Sequence, residues 1–285
     1  RTRRPPIRWL HVPKSGSNFV NVVARYACAS LAQSNISFVT AFNFTQWKTA
    51  NNADCESLLP PWTGHTPVRS QELAQRVLAG IFRLPSQRLI SGFHHTEGGV
   101  AGTMIAPGMA PDRRATLQQA AKGDVAVYVR WPGIAGCATK MLLGRQCASQ
   151  YRLSDADAQR AAHVLQTNFA FVGLLEHWAL SICVFHALLL NGSRVAPAEL
   201  SVSHVGSQRL AGARQEAKRP ERFRYNESVL RGFMDVHDEF LYKVAKRRLY
   251  LDAQRTRCMS STAGSISRTM RPLRPASART SIPGA

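Results

Sequence analysis

Acid is what this sequence has least of for its size. Its 285 residues carry 17 Asp and Glu against 37 Lys and Arg, a formal charge of +20. Residues 251–285 hold six arginines and one acid, about +5, so the rest still carries about +15. Such a surface attracts polyanions: nucleic acid, acidic glycans, anionic membranes or phosphorylated small molecules. RNA-binding aromatic signatures, zinc-finger spacing and a basic region followed by heptads are all missing, which moves nucleic acid down among those partners. The six cysteines (28, 55, 137, 147, 183 and 258) include no CxxC pair and no metal-ligand spacing, so no metal is expected. Internal repeats are also missing. No uninterrupted apolar run is long enough to cross a bilayer. The most apolar stretch, FAFVGLLEHWALSICVFHALLL (169–190), is broken by Glu176, His177 and His186, and reads as a buried strand followed by a buried helix. The chain opens on Arg1 with no Met, and a leader or membrane anchor upstream of this numbering belongs to the expectation.

What is present fits a single large core, since 45% of the residues are apolar. Residues 7–12 read as a short buried strand. Phe19, Val22, Val23 and Tyr26 follow at helical spacing. Residues 35–42 suggest a second strand, and 43–67 are irregular. ELAQRVLAGIFRLP passes from a helical piece into a strand ending near Arg83, and SQRLISGFHH opens a helix. Residues 96–111, rich in Gly, Met and Pro, read as a loop. DVAVYV (124–129) predicts a strand, and Ser154 caps a helix running to about Gln166. FAFVGLL is strand, 176–190 helix, and 238–251 a late basic amphipathic helix. Strands alternating with helices predict an α/β fold around a mostly parallel sheet, with residues 1–252 as the domain and 253–285 as a basic, disordered Ser/Arg/Pro-rich tail. Four of the nine asparagines lie in N-x-S/T sequons (Asn35, Asn43, Asn191 and Asn226), which points to a secretory lumen. There Cys137 and Cys147 would form a bridge; two buried thiols are the alternative.

At the seam between the first strand and the first helix stands VPKSGSNF. A strand, a tight polar loop and a helix start make an anion site, because free N–H groups and the helix dipole face the ligand. Gly16 lets backbone approach, Lys14 adds charge, and Ser15 and Ser17 add donors. An ordinary β-to-α turn with a solvated lysine would read the same way. The ATP/GTP loop needs its lysine after the glycines, whereas here it precedes the one glycine.

That order, Pro-Lys-Ser-Gly-Ser, resembles the 5′-phosphosulfate loop of sulfotransferases that use 3′-phosphoadenosine 5′-phosphosulfate (PAPS). Asn18 stands where that family usually has Thr or Ser. FRLPSQRLISGF is similar to the family's 3′-phosphate motif, with Arg83, then Ser91, and Arg88 between them. Leu84 replaces the usual Asp or Asn. GHTP (64–67), TKMLLG (139–144) and FVGLLE (171–176) resemble segments of Golgi-type carbohydrate sulfotransferases, so the likeness spans about residues 7 to 190. It implies a P-loop-like central parallel sheet flanked by helices, the sulfotransferase fold, in a membrane-bound glycoprotein of the Golgi lumen.

The resemblance also implies roles. Lys14 stabilises charge on the leaving oxygen; Lys14, Ser15, Gly16, Ser17 and Asn18 hold the 5′-phosphate end, and Arg83 and Ser91 hold the 3′-phosphate. Sulfuryl transfer to a hydroxyl is an in-line displacement that needs positioning, charge stabilisation and a base, with PAPS as co-substrate and no metal. His65 is the first choice of base; His94, His95 and Glu97 are the second. Glu176 and His177 read as satisfying buried polar groups at a strand end, with lining the site as the alternative for Glu176. A glycan hydroxyl is the expected acceptor, with Arg145, Arg152, Arg209, Arg214, Lys218, Arg222 and Arg224 as groove candidates or simply solvated charges. Lys246, Arg247 and Arg248 are placed against either the cofactor or a membrane. A nucleotide-dependent kinase and a non-catalytic polyanion-binding protein are the rival classes.

Overall fold

The computed structural model describes residues 7–16, 19, 22–23, 65–73, 75, 77–97, 109–200 and 224–259. Within these, three parallel strands form one sheet: β1 (Arg8–Leu10), β2 (Leu78–Phe82) and β3 (Phe169–Leu174), in the order β1-β2-β3. Arg8 is paired with Leu78 and Leu10 with Gly80, while Phe82 is paired with Leu174. Every residue of β1 and β2 is buried. Such strands read as continuous apolar runs because helices cover both faces of a parallel sheet.

The helices fall among the strands in this order. A short helix, α1 (Ser70–Leu73), precedes β2, and α2 (Pro85–Glu97) follows it. Next come α3 (Pro111–Ala120), α4 (Val125–Arg130), α5 (Cys137–Leu142) and α6 (Asp155–Asn168). Ser154 caps α6 in a full capping box with Asp157. After β3 a 3-10 turn, Leu175–His177, leads into α7 (Trp178–Leu189), and α8 (Val236–Arg255) closes the described chain. The architecture is mixed α/β with a small parallel sheet flanked by helices.

One segment overturns its expectation. DVAVYV is not a strand: Val125–Arg130 is helical. Its β-branched residues favour a strand locally, but Asp124 accepts from the N–H groups of Ala126 and Val127 and starts a helix. The buried residues, Val125, Ala126, Tyr128 and Val129, then fall on one helical face while Val127 is exposed. The packed chain also runs past the composition shift at residue 253. The last helix continues to Arg255, and Cys258 is fully buried in a disulfide with Cys183. The expected loop 96–111 is helical at its two ends, up to Glu97 and from Pro111; residues 35–42, 98–108 and 260–285 lie outside the described residues.

The main core sits between sheet and helices. Phe19 meets Trp9, Phe171, Trp178 and Phe185 with ring centroids 5.1–6.0 Å apart. Val22 and Val23 are also buried, so three residues of the predicted stripe face the core, while Tyr26 lies outside the described residues. This packing fixes the loop at the carboxyl ends of the strands. A second disulfide, Cys137–Cys147, closes the alternative left open by the sequence. No described helix is long and apolar enough to cross a membrane.

Candidate functional site

The carboxyl ends of the three strands carry the loop with Lys14, then Arg83, then Glu176, and the structure brings these together. In open parallel sheets ligands bind at this end. Ser15 donates its N–H to Val12 (3.2 Å) and Phe19 donates to the Gly16 carbonyl (2.9 Å), which folds the loop tightly. Lys14 (φ 63°) and Gly16 (φ 104°) both hold left-handed backbone. For lysine this geometry is strained, by roughly 1–3 kcal/mol. A Cβ on residue 16 would come within 3.1 Å of Leu175 Cδ1 and 3.3 Å of Ile81 Cγ2. Gly16→Ala is therefore expected to cost roughly 1–3 kcal/mol from backbone strain alone. A thermal melt should show a drop of several degrees, and an unchanged melt would mean the loop relaxes freely.

Arg83 is 7% exposed, and its Nη1 donates to the Lys14 carbonyl at 3.2 Å. Lys14 is half-buried; burial, with the neighbouring Arg83 charge second, lowers its pKa to about 8. Burial also lowers Arg83, against Tyr225 and Glu176, which favour its charged form. Neither cation makes an ion pair with a carboxylate of the described residues. Glu176 is engaged elsewhere: it accepts from the Leu84 N–H (2.9 Å) and from the Tyr242 hydroxyl (3.0 Å), as expected for a carboxylate satisfying polar groups at a strand end. A buried and a half-buried cation side by side, with neither in an ion pair among the described residues, are costly unless an anion joins them.

His65 reaches the same place by another route. Arg8 on β1 donates to the carbonyls of Thr66 and Pro67, both at 2.9 Å, and pairs with Glu72 at 2.7 Å. That clamp lays the His65 segment beside β1. The His65 ring lies 4.2 Å from that of His11, and its Nδ1 is 3.1 Å from the His11 carbonyl. A carbonyl only accepts, so Nδ1 carries the hydrogen and Nε2 keeps the basic lone pair. Burial lowers the His65 pKa, the hydrogen bond to His11 opposes it, and the Lys14 charge lowers it further. His11 is lowered well below the usual range by burial, then by His65 and Lys14. The imidazole is thus held neutral next to the lysine.

On the other side Tyr225 lies under the Arg83 guanidinium, 5.7 Å from it, and stacks on exposed His94 at 5.2 Å. Gln87 holds Tyr225 by its backbone at both N–H and carbonyl. His94 therefore meets the Arg83 side only through the Tyr225 ring, whereas His65 neighbours Lys14. His95 and Glu97 lie on the last turn of α2. Ser91 is buried on α2, one turn beyond Arg88. Ser17 and Asn18 lie outside the described residues, as do Arg209, Arg214, Lys218 and Arg222. Of the other groove candidates, Arg145 stacks on Tyr151 at 3.6 Å, and Arg152 and Arg224 are exposed.

Arg88 belongs to the scaffold. It is 6% exposed and its Nη2 lies 3.3 Å from both Asp235 and Asp238. Lys140, in the TKMLLG stretch, is likewise internal: its Nζ donates to the carbonyls of Gly133, Ser149 and Cys147. Sequence reasoning missed Arg8, His11, Tyr225 and the two aspartates. A charged residue inside an apolar strand was the available signal for Arg8, and an acid three residues ahead of another at a helix start for Asp235.

The residues fit an anionic nucleotide in part. Among the described residues the Ser86 hydroxyl and Arg88 Nε, both near the start of α2, have no hydrogen-bond partner. The enclosed space between Ser15, Arg83 and Tyr242 is only about 10 Å³, the room of one water. That space excludes anything larger than water, and the open side next to it is bordered by the half-buried Lys14, Gly16, His65 and Tyr225. Comparison with protein-family models, with curated proteins and with solved structures finds no match, so the meaning of this cation pair rests on its own geometry.

Proposed function

We propose that this chain is a sulfotransferase that moves a sulfuryl group from PAPS to a hydroxyl acceptor, carbohydrate in class. The observation that carries the reading is the meeting of Lys14 and Arg83. Two cations from motifs 69 residues apart join at the strand ends with no carboxylate of the described residues paired to either. The finer fold reading, a P-loop-like sulfotransferase sheet, is supported by the order loop, β2, Arg83, α2 around a parallel sheet. The two disulfides among the described residues favour an oxidising compartment, in keeping with the Golgi lumen.

The donor supplies the sulfuryl group and a phosphate leaving group. Lys14 stabilises charge on the bridging oxygen as the old S–O bond breaks, and the loop N–H groups steady the 5′-phosphate. His65 Nε2 takes the proton from the acceptor hydroxyl as the new S–O bond forms. Arg83, with Ser91 on the following helix, selects a 3′-phosphate. Tyr225 limits where the Arg83 guanidinium can point. His65 is favoured over His94 because it sits with Lys14, where the reacting sulfur would be.

Calorimetric binding of 3′-phosphoadenosine 5′-phosphate beside 5′-AMP and ATP at matched ionic strength tests the reading. A preference of tenfold or more for the 3′-phosphorylated ligand is expected, since a lost charge-assisted contact is worth about 1.5–3 kcal/mol. Arg83→Ala should erase the preference. Equal or absent binding would sink the reading and leave the polyanion-binding class.

A further inference from the structure

We propose that the outer face of α8 docks on an anionic lipid surface. Seven large apolar residues are exposed in the described chain, and five of them lie in one stretch: Met234, Val236, Phe240, Leu251 and Met259. Met234 is 65% exposed, Val236 55% and Phe240 42%. Val236, Phe240, Arg247 and Leu251 recur at helical spacing, with Lys243 between them, so one face carries them all. Exposed Lys243, Lys246, Arg247 and Arg255 share the solvent side of this helix.

The acids point the other way. Asp238 and Asp252 are 2% and 3% exposed, Asp235 at the cap is 4% exposed, and Glu239 is half-buried. Arg248 also faces inward, donating to the carbonyls of Gln166 and Phe169 and pairing with Asp252. An ordinary surface helix keeps carboxylates outside and apolar groups inside. Here apolar groups line both faces, and fully exposed charge on the helix is positive.

That pattern selects the partner. A second copy would set cations against cations. A soluble polyanion would use the lysines and arginines but gives Val236, Phe240 and Leu251 nothing to bury. A lipid surface uses both, since apolar side chains enter the acyl boundary while Lys and Arg meet anionic headgroups. At the far end of the same face a groove of about 490 Å³ opens between Phe169, Ala170 and Leu251, rimmed by Arg248 and Arg255. The Cys183–Cys258 bridge pins the end of this segment to α7, so the face is presented rigidly.

Flotation with vesicles of phosphatidylcholine alone, or with about one third phosphatidylserine, at about 0.1 M salt tests this. Binding to the anionic vesicles alone is expected, weakening as salt rises. Phe240→Ser with Leu251→Ser should weaken it tenfold or more, and so should Lys243→Glu with Arg247→Glu. Phe240 and Leu251 are only 42% and 41% exposed and Lys243 faces the Glu239 carboxylate, so each double variant should lose some stability, and flotation is read well below its melting temperature. No binding to either vesicle would overturn the proposal. So would binding indifferent to Phe240 and Leu251, the behaviour of a polyanion site. The result is independent of the PAPS reading, which calorimetry with 3′-phosphoadenosine 5′-phosphate reports separately.

Discussion

If the chain is the proposed sulfotransferase, Lys14→Ala should lower sulfuryl-transfer turnover by roughly 10²–10³-fold, the loss typical of one preorganised charge-stabilising group. A scaffold with a formal charge of +20 would hardly register one lysine as a polyanion binder, so the size of the effect separates enzyme from scaffold. The pH profile sharpens the test. In the proposed mechanism Lys14 acts when protonated, and burial beside Arg83 has lowered its pKa to about 8. His65 acts when neutral, and burial has lowered its pKa from 6.5. In the free enzyme kcat/KM should rise as pH climbs through a value below 6.5, then fall as pH passes about 8. Lys14→Arg keeps the charge at all accessible pH, so it should retain part of the turnover and lose the basic limb. Turnover within about twofold of the parent in Lys14→Ala would exclude this loop as the site of charge stabilisation.

Much of that argument was legible before the fold. The lysine loop, Arg83 and the strand that ends beside each were readable because a buried parallel strand is a short apolar run and the loops after it are polar. Ser154 announced its helix through local chemistry, Oγ and carboxylate within four residues. What stayed hidden depends on distance along the chain. Nothing near Arg8 says that its guanidinium holds carbonyls 58 and 59 residues away. Tyr225 meets Arg83 only because Gln87 ties it down across 138 residues. The 124–129 error has the opposite origin. There β-branched propensity pointed one way, while Asp124 and the tertiary burial of one face decided the other. The R-x-P-x-x-R-x-x-S pattern also divides in the structure: Arg83 turns to the lysine loop, and Arg88 turns to the aspartates of α8.

Asp238→Ala should be the most destabilising single change at that second junction, by about 3–5 kcal/mol, because it strips one of two counter-ions from a buried charge. The carboxylate accepts from Ala138 N–H (3.0 Å), Thr139 N–H (2.9 Å), the Thr139 hydroxyl (2.8 Å) and Arg88 Nη2 (3.3 Å). Asp235 accepts from Gly136 N–H with both oxygens (3.0 and 2.9 Å) and from the same Arg88. Together they satisfy the open N–H groups at the start of α5 and lock α2, α5 and α8 into one unit. Loss of Asp238 leaves three donors and half of an ion pair buried. At roughly 2–4 °C per kcal/mol the melting temperature should drop on the order of 10 °C. The same cluster makes stability depend on pH. Burial first and the Asp238 charge second raise the Asp235 pKa from 3.8 to about 7, while Arg88 opposes them. A folded-state pKa raised above the unfolded one gives a contribution fully present below 3.8 and lost as pH rises through about 7. Melting temperatures taken between about pH 5 and pH 8 should therefore fall with pH on this account, and Asp235→Asn should flatten the slope. If Asp238→Ala melted within a degree or two of the parent, Arg88 would have to be neutralised elsewhere.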